Sequence, residues 1–333
     1  MLTDFREQER KDIFTYVGAS KHIRAEAVEK DWWVTQVLKA LFLSEYAENI
    51  VFKGGTSLSK GWNLIERFSE DVDIAIDREF LGFPGDLSKT QISDKLRRAS
   101  CSFVRTSLKA AVENGLADAG IPHKLFSVNV EVTPVTTTDP EKLYIHYESV
   151  FDDVVSEYVK PRVIIEAGAR SITEPSVPRT IRSFVSETVQ NESVADDGFS
   201  VRTTPAQRTF LEKVFLLHEE FHKDGLIRTD RMSRHLYDLE KMMDTDVGQA
   251  IKDKELYLSV VEHRRRFIGL KGFDYNTLMP ESIDIIPPGN VLGEWRKDYR
   301  AMQEAMIFGD SLPFDELISR IRILNDRINA LRF

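Results

Sequence analysis

The chain has 333 residues, a formal net charge of −9, 42% apolar residues and 30% charged residues. This balance is typical of a soluble globular protein that is long enough for two domains. The acidic excess argues against a broad nucleic-acid-coating surface, and a single cysteine, Cys101, excludes an internal disulfide. The chain has no apolar run of about eighteen residues and no secretory signal at its charged start, so we expect a cytoplasmic protein without a membrane span.

The first 45 residues are predicted to be helical. From Ala25 to Leu43, apolar residues recur at the three- and four-residue spacing of one helix face. Lys30 and Asp31 lie within this predicted helix, where a surface ion pair is the simplest interpretation of two neighbouring charges.

Residues 49–77 carry the most informative pattern in the chain. A short apolar run, Ile50 to Phe52, leads into Gly54, Gly55 and Thr56, and a helical segment follows. Glycines let the backbone approach a ligand closely, and Thr56 is predicted to cap the helix. The unpaired N–H groups at such a helix start form a phosphate site. The buried face of this helix is predicted to comprise Leu58, Trp62 and Ile65.

An acidic pair, Asp71 and Asp73, then enters a second apolar run. Residues two apart on a strand share a face, so both carboxylates point the same way while Val72, Ile74 and Ile76 turn to the core. Mg²⁺ prefers such oxygen ligands together with substrate phosphates. A lone pair of this kind is usually a solvated strand edge, but the order strand, glycine pair, helix and acidic strand predicts a site for a nucleoside triphosphate and its magnesium. No P-loop sequence is present.

The next stretch is predicted to alternate between connections and regular elements. Residues 79–90 are predicted to form a loop, Ile92 to Leu116 a long helix, and residues 173–200 a connection with one short strand, Thr180 to Val185. Asp139-Pro140 marks a turn between the first two of three further strands. These three predicted strands are Leu125 to Val132, Lys142 to Tyr147 and Arg162 to Ala167.

The remainder of the chain is predicted to be helical from Pro205 onward. Lys213 lies beside an apolar stripe, on the polar flank where most lysines are exposed. A helix over residues 229–245 places Arg234, His235 and Asp238 on one face, so an Arg–Asp ion pair is one interpretation there. Residues 248–286 mix short helices and loops, and a closing helical hairpin is predicted for 290–308 and 313–331. The apolar stripe comprises Phe210, Val214, Leu217 and Phe221.

At these residues the chain resembles the AbiEii-type nucleotidyltransferase toxins, a branch of the DNA polymerase β-like nucleotidyltransferase superfamily. The superfamily signature is Gly-Ser followed by Asp-x-Asp or Asp-x-Glu, and this chain has Gly55-Thr56 and Asp71-Val72-Asp73 with a longer spacer. The resemblance extends over nearly the whole chain. The further segments that match the family's motifs are Val28 to Val34, Glu212-Lys213, Arg234 to Leu239, and a C-terminal helix with Trp295, Asp298-Tyr299 and Met302. His235 departs from the pattern, since aspartate is more usual there.

The resemblance implies an α+β fold, with a mixed sheet and flanking helices over residues 1–200 and a mainly helical domain over 201–333 that completes the active site. It implies that Asp71 and Asp73 hold Mg²⁺ or Mn²⁺, that Gly54, Gly55 and Thr56 touch the phosphates, and that Lys30 and Asp31 help to frame the site. It also implies that Lys213 contacts the triphosphate and that Asp238 orients or helps to activate groups at the site.

Glu166 interrupts the otherwise apolar third strand, and a charged group in that setting is costly unless it is paired or bound to a metal. Two interpretations stay open. Superfamily members carry a third carboxylate on a neighbouring strand as general base or extra metal ligand, and Glu166 falls where that residue is expected. Alternatively, Glu166 is an edge-strand glutamate paired with Arg162 or Arg170.

The function implied by the resemblance is that of a toxin of a type IV toxin–antitoxin or phage-defence system. Such an enzyme transfers NMP from an NTP to an RNA acceptor such as the tRNA 3′ end, and a cognate antitoxin is expected to be encoded nearby. A protein or small-molecule acceptor, or a non-catalytic NTP-binding module, are the alternatives. An RNA acceptor needs a local basic patch, for which solvated faces are the competing interpretation. The candidates are Lys95, Arg97, Arg98 and Arg105, and Arg264, Arg265 and Arg266.

Overall fold

The structure is a computed structural model and describes residues 2–69, 71–131, 140–151, 160–191 and 194–333. The chain divides into two compact units. The first contains the residues up to Trp62 and from Phe68 to Thr204, and the second contains Asn63–Arg67 and Pro205–Phe333. The short segment Asn63–Arg67 therefore belongs to the second unit although first-unit residues flank it on both sides.

In the residues that the structure describes, the first unit is built on a seven-stranded mixed sheet. Its spatial order is β3-β4-β5-β2-β1-β7-β6, so β2, the strand with the acidic pair, lies at the centre. β2 runs antiparallel to β1 and parallel to β5, and β1 runs parallel to β7. The strands are β1 Ile50–Lys53, β2 Asp71–Ile76, β3 Phe126–Val130, β4 Glu141–Tyr147, β5 Arg162–Gly168, β6 Val177–Ile181 and β7 Phe199–Thr203.

The helices of the first unit include the two that the sequence predicts at its start. Their buried side chains join the core of the sheet, where Trp33 stacks on Tyr147 of β4 with ring centroids 4.9 Å apart. The predicted long helix is helical from Gln91 to Asp118, with π-helical stretches on either side of α4. The α-helices are α1 Glu7–Lys21, α2 Ala25–Phe42, α3 Gly54–Lys60, α4 Arg97–Phe103, α5 Lys109–Asp118 and α6 Phe184–Thr188.

Two local predictions for the first unit are wrong. The strand predicted for Thr180 to Val185 lies earlier, in β6, because the Ser183 hydroxyl accepts a hydrogen bond from the Ser186 amide and so begins helix α6. Strand β7 was not predicted at all, since its residues lie in a polar stretch that resembles a connection. The other predicted strands match β3, β4 and β5, although Val132 and Asp139 lie outside the described residues.

The second unit is mainly helical, and its helix α7 (Ala206–His222) begins directly after Pro205. The α7 stripe is buried, and Phe221 at its end packs on Trp295 with ring centroids 5.1 Å apart. Helix α8 begins at Ser233, later than predicted, because Asp298 accepts hydrogen bonds from the Arg231 and Ser233 amides and holds the preceding turn. The helices are α7 Ala206–His222, α8 Ser233–Met242, α9 Lys254–His263, α10 Leu292–Ala305 and α11 Phe314–Asn329.

The segment Asn63–Arg67 is held within the second unit by backbone contacts. The Glu66 carbonyl accepts hydrogen bonds from the amides of Phe308 (3.0 Å) and Gly309 (3.3 Å), and Arg67 forms a β-bridge with Ile307. Asn63 has a positive φ of 53°, which marks the turn by which the chain enters this segment. None of the helices in the described part of the chain combines the length and apolar character that a membrane span requires.

Candidate active site

The acidic pair occupies one face of β2, as predicted. Asp71 and Asp73 are partly exposed, whereas Val72, Ile74 and Ile76 alternate with them and are fully buried. In the strand register Asp73 is opposite Lys53 of β1 and Glu166 of β5. Since directly opposite residues point to the same side of a sheet, Lys53, Asp73 and Glu166 form one row on this face.

Gly54 brings the backbone against the carboxylate of Asp73. Its φ of +75° lies in the left-handed region, which L side chains avoid. A Cβ at Gly54 would lie only 2.0 Å from Asp73 Oδ2. Gly54 therefore brings the backbone close to the side chain of an acid from the second motif, whereas the approach to a ligand that the glycine pair predicts stays a prediction. Gly54 couples the two motifs sterically.

Thr56 does not cap the glycine-led helix. Helix α3 begins at Gly54, the capping position is Lys53, and Thr56 is the third helical residue. The Thr56 side chain is buried, and its hydroxyl donates to the backbone carbonyl of Asp71 at 2.5 Å. Thr56 therefore ties helix α3 to the first acidic residue of β2.

Helix α3 is also shorter than predicted, since it ends at Lys60 and leaves Trp62 and Ile65 outside it. At this end Lys60 Nζ donates to Asp31 Oδ1 (2.5 Å), and Asp31 Oδ2 accepts from the Phe184 amide (2.7 Å). The surface ion pair predicted for Lys30 and Asp31 is therefore wrong. Both residues are buried, and Asp31 fixes the carboxyl end of helix α3.

Glu166 is paired, but its setting differs from the one predicted. Strand β5 is an interior strand, and the Glu166 carboxylate forms an ion pair with Lys142 Nζ of the adjacent β4 at 2.8 Å. Lys142 is directly opposite Glu166 in the β4–β5 register. The interpretation as an edge-strand glutamate is wrong, because β2 and β4 cover both edges of β5.

A second group of charged residues, the Lys213 cluster, lies in the second unit and comprises Arg67, Lys213, His235 and Asp238. Arg67 donates from Nε to Asp238 Oδ1 (2.6 Å) and from Nη2 to Oδ2 (2.7 Å). Lys213 Nζ lies 2.8 Å from the same Oδ2 and 3.5 Å from His235 Nδ1. All four side chains are buried, with Asp238 fully enclosed.

The pKa values in this cluster follow from burial and from the two cations around one acid. Burial alone would raise the pKa of Asp238, but Arg67 and Lys213 lower it to about 2, so this carboxylate is ionised. Burial lowers the pKa of Lys213 against the opposing attraction of Asp238, and repulsion from Arg67 and Arg234 adds to the lowering. Burial and the neighbouring Lys213 hold the pKa of His235 well below its ordinary value, so the imidazole is neutral.

Arg67 is the residue of this cluster that the sequence did not reveal. Asp238 does form an Arg–Asp ion pair, but its partner is Arg67 rather than the nearby Arg234 of the same helix. Lys213 is buried, unlike most lysines on the polar flank of a helix, because its side chain pairs with Asp238. The sequence does show an arginine shortly before Asp71, but no local pattern identifies its partner Asp238, which lies 171 residues further along the chain.

The proposed basic patches consist in part of paired residues. Arg264 is buried and makes a two-pronged contact with Glu219 at 2.6 and 2.5 Å, so it is a structural ion pair. In the first unit, Arg105 pairs with Glu141 (2.9 Å) and Arg98 with Asp94 (2.8 Å).

Comparison with known proteins identifies the family. A family model described as the nucleotidyl transferase AbiEii toxin of type IV toxin–antitoxin systems matches residues 36–320. No curated protein matches the chain. Among solved structures, the chain is similar to MenT4, the nucleotidyltransferase toxin Rv2826c from Mycobacterium tuberculosis H37Rv. The two sequences are 15% identical, the TM-score is 0.41, and the match covers 96% of this chain and 99% of the MenT4 chain. The family-model match confirms the resemblance inferred from the motifs. The chain therefore belongs to the AbiEii family of nucleotidyltransferase toxins, which are enzymes of type IV toxin–antitoxin systems.

Proposed function

We propose that this nucleotidyltransferase uses Mg²⁺ or Mn²⁺ held by Asp71 and Asp73 to transfer NMP from an NTP to an acceptor hydroxyl. The observation that carries this proposal is the contact between Gly54 and Asp73. It joins a helix start, whose first N–H groups have no partner within the helix, to a strand that presents two carboxylates on one face.

The donor set fits a divalent cation that is completed by substrate. Within the ranges that the structure describes, no group of three or more His, Cys, Asp or Glu residues is placed to hold a metal ion. Mg²⁺ commonly binds through one or two carboxylates and takes its remaining ligands from water and substrate phosphates. Two carboxylates on one strand match that mode, and a bound cation would offset negative charge on the phosphates.

The phosphate contacts are assigned to Gly54, Gly55 and Thr56, and to Lys213. The backbone N–H groups of the first three residues are proposed to bind the phosphates, because the hydroxyl hydrogen of Thr56 is already used by the Asp71 carbonyl. Lys213 is proposed to neutralise the charge that builds on the leaving pyrophosphate, and Asp238 to orient its ammonium group.

In this reaction the acceptor oxygen bonds to the α-phosphorus while the bond from that phosphorus to the pyrophosphate oxygen breaks. Glu166 is proposed to take the proton of the acceptor hydroxyl. Its position opposite Asp73 supports this assignment, whereas its ion pair with Lys142 has to loosen before the carboxylate can accept a proton.

The acceptor is proposed to be RNA, with the tRNA 3′ end as the specific candidate, so that transfer blocks translation. A cognate antitoxin encoded nearby is the proposed protein partner, as the type IV toxin–antitoxin family implies. Because NTPs and tRNA are cytoplasmic, the proposed reaction takes place in the cytoplasm. The acidic net charge of −9 favours a protein or small-molecule acceptor as the second candidate.

The test is transfer of label from each of the four α-³²P NTPs, with Mg²⁺, onto total cellular RNA. Wild type is expected to label tRNA-sized RNA and Asp71→Ala to abolish labelling without loss of folding. Asp77→Ala is the matched control, since Asp77 follows the same strand and its carboxylate accepts a local turn hydrogen bond from the Glu79 amide (2.9 Å). Undiminished labelling by Asp71→Ala would overturn the assignment of the site. NTP binding without label on RNA would turn the search to protein and small-molecule acceptors, and then to a binding module.

A further inference from the structure

Strands β4 and β5 extend the face of the sheet that carries the acidic pair. In the strand register, Asp71 of β2 is opposite Ile164 of β5, and Ile164 is opposite Tyr144 of β4. Opposite residues point to the same side of a sheet, so Tyr144 lies on the side that presents Asp71 and Asp73. Neighbouring strands are about 4.8 Å apart, which places Tyr144 two strands, or roughly 10 Å, from Asp71. Ile164 is 7% exposed, so the residue between them in this row is apolar and nearly buried.

Tyr144 belongs to a group of three side chains on this face, the Tyr144 surface, which comprises Tyr144, His146 and Arg162. Arg162 is opposite His146 in the register, and its Cζ lies 4.9 Å from the centroid of the Tyr144 ring. The Tyr144 and His146 rings are nearly parallel, with an interplanar angle of 21° and centroids 6.1 Å apart. The Tyr144 hydroxyl donates to Glu131 Oε1 at 2.9 Å, which holds the ring at its far end.

Packing of the core does not account for the two rings of the Tyr144 surface. His146 is exposed, and Tyr144 and Arg162 are half-buried. The residues that alternate with them along β4, Leu143 and Ile145, are fully buried. The core therefore lies on the other side of β4, and the rings lie at a solvent-accessible face in line with the acidic pair.

The chemistry of this surface fits an unpaired RNA strand. Nucleic-acid bases stack on aromatic rings and on guanidinium planes, and unpaired ends offer base faces that a duplex keeps stacked. Arginine also binds phosphate. Stacking does not require a broad basic surface, which agrees with the net charge of −9 and with the pairing of Arg98 and Arg105 to acids.

We propose that the Tyr144 surface binds the unpaired 3′ end of an RNA acceptor, with a base next to the reacting nucleotide stacked on Tyr144 and His146. Arg162 supplies positive charge for the phosphates of the strand, and the terminal hydroxyl lies toward Asp71 and Asp73. This inference rests on the proposed transfer to RNA and adds the surface that selects a single-stranded acceptor. The three residues are assigned to acceptor binding and take no part in the chemical step.

Steady-state transfer to tRNA separates acceptor binding from NTP binding. Tyr144→Leu removes the ring, so the KM for tRNA is expected to rise about 10-fold while the KM for the NTP stays unchanged. Tyr144→Phe keeps the ring and is expected to retain a tRNA KM close to that of wild type. Tyr16→Leu is the matched control, because Tyr16 is an exposed tyrosine on helix α1 of the same unit. His146→Ala changes an exposed side chain, is expected to raise the tRNA KM severalfold, and carries the test if Tyr144→Leu does not fold.

Direct binding tests the surface without relying on transfer. A 5′-fluorescent RNA oligonucleotide with a free 3′ hydroxyl is titrated with each protein, as a single strand and as a blunt-ended duplex, and fluorescence anisotropy gives the Kd. We expect the single strand to bind more tightly than the duplex. Tyr144→Leu is expected to weaken single-strand binding about 10-fold, and Tyr16→Leu to leave it unchanged.

The outcomes distinguish this inference from the proposed function. Equal tRNA KM and equal oligonucleotide Kd in folded Tyr144→Leu and Tyr16→Leu would overturn the inference while the proposed function stood. Tighter binding of the duplex would overturn it as well. Label on a protein instead of RNA would overturn the inference together with the RNA acceptor but leave nucleotidyl transfer in place. Transfer by Asp71→Ala would overturn the proposed site, and the oligonucleotide Kd would then test the Tyr144 surface alone.

Discussion

Gly54→Ala is expected to damage catalysis far more than folding. The substitution places a methyl group where the Asp73 carboxylate now lies, with the new Cβ 2.0 Å from Oδ2. Ordinary van der Waals contact begins near 3.4 Å. Either the carboxylate or the α3 backbone therefore has to move by more than an ångström.

The magnitude of each effect follows from this geometry. An L residue in the left-handed region costs roughly 1–2 kcal/mol of stability, and Gly54 has a φ of +75°. A misplacement of about 1 Å at a reacting group costs on the order of 100-fold in rate. We therefore expect unfolding free energy to fall by about 1–2 kcal/mol and nucleotide transfer by about 100-fold.

Gly82→Ala is the matched control for backbone strain. Gly82 has a similar positive φ of +86°, but an added Cβ there meets nothing within 4 Å. Its loss of stability in denaturant unfolding is expected to resemble that of Gly54→Ala, and its transfer activity to equal that of wild type. Equal activity of the two variants would refute the coupling between Gly54 and Asp73, whatever their stabilities.

Two further predictions concern buried or paired acids. Lys142→Met removes the cation that neutralises Glu166 and leaves a third carboxylate opposite Asp73. The affinity for Mn²⁺ without NTP, measured by calorimetry, is therefore expected to increase severalfold. An unchanged affinity would show that Glu166 does not reach the metal. Burial raises the pKa of Glu29 to about 7, with hydrogen bonds from Ser149 and Val150 opposing the shift. Because the unfolded chain loses this proton first, stability is predicted to fall as the pH rises from 4.5 to about 7. Glu29→Gln is therefore expected to raise the melting temperature at pH 8 and to leave it little changed near pH 4, and an equal shift at both values would contradict this origin.

The sequence was informative wherever function depends on neighbours in the chain. Period-two alternation placed Asp71 and Asp73 on one face of a strand because that geometry follows from strand backbone alone. The glycine pair indicated a special backbone conformation for a similar reason, since glycine adopts the positive φ of Gly54 at little steric cost. These local rules, with the motif resemblance, were sufficient to indicate the fold class and the family.

Local sequence rules failed where distant residues decide whether a short helix or strand ends or forms. Trp62 and Ile65 continue the apolar helical spacing of α3, yet the chain turns away at Asn63 and the next residues pack with the second unit. Strand β7 is polar in sequence and becomes a strand because β1 and β6 supply its hydrogen-bonding partners. Tertiary pairing overrides weak local preference in such segments.

The partners of the charged side chains were decided only by tertiary structure. The sequence by itself determined that Glu166 is an acid in an apolar strand and needs a counter-charge, whereas it predicted a surface ion pair for Asp31 and an Arg–Asp pair within one helix for Asp238. It could not determine that Lys142, Lys60 and Arg67 provide those charges. A carboxylate accepts any suitably placed cation, so the choice among 45 lysines and arginines rests on which backbone segments the fold brings within about 3 Å.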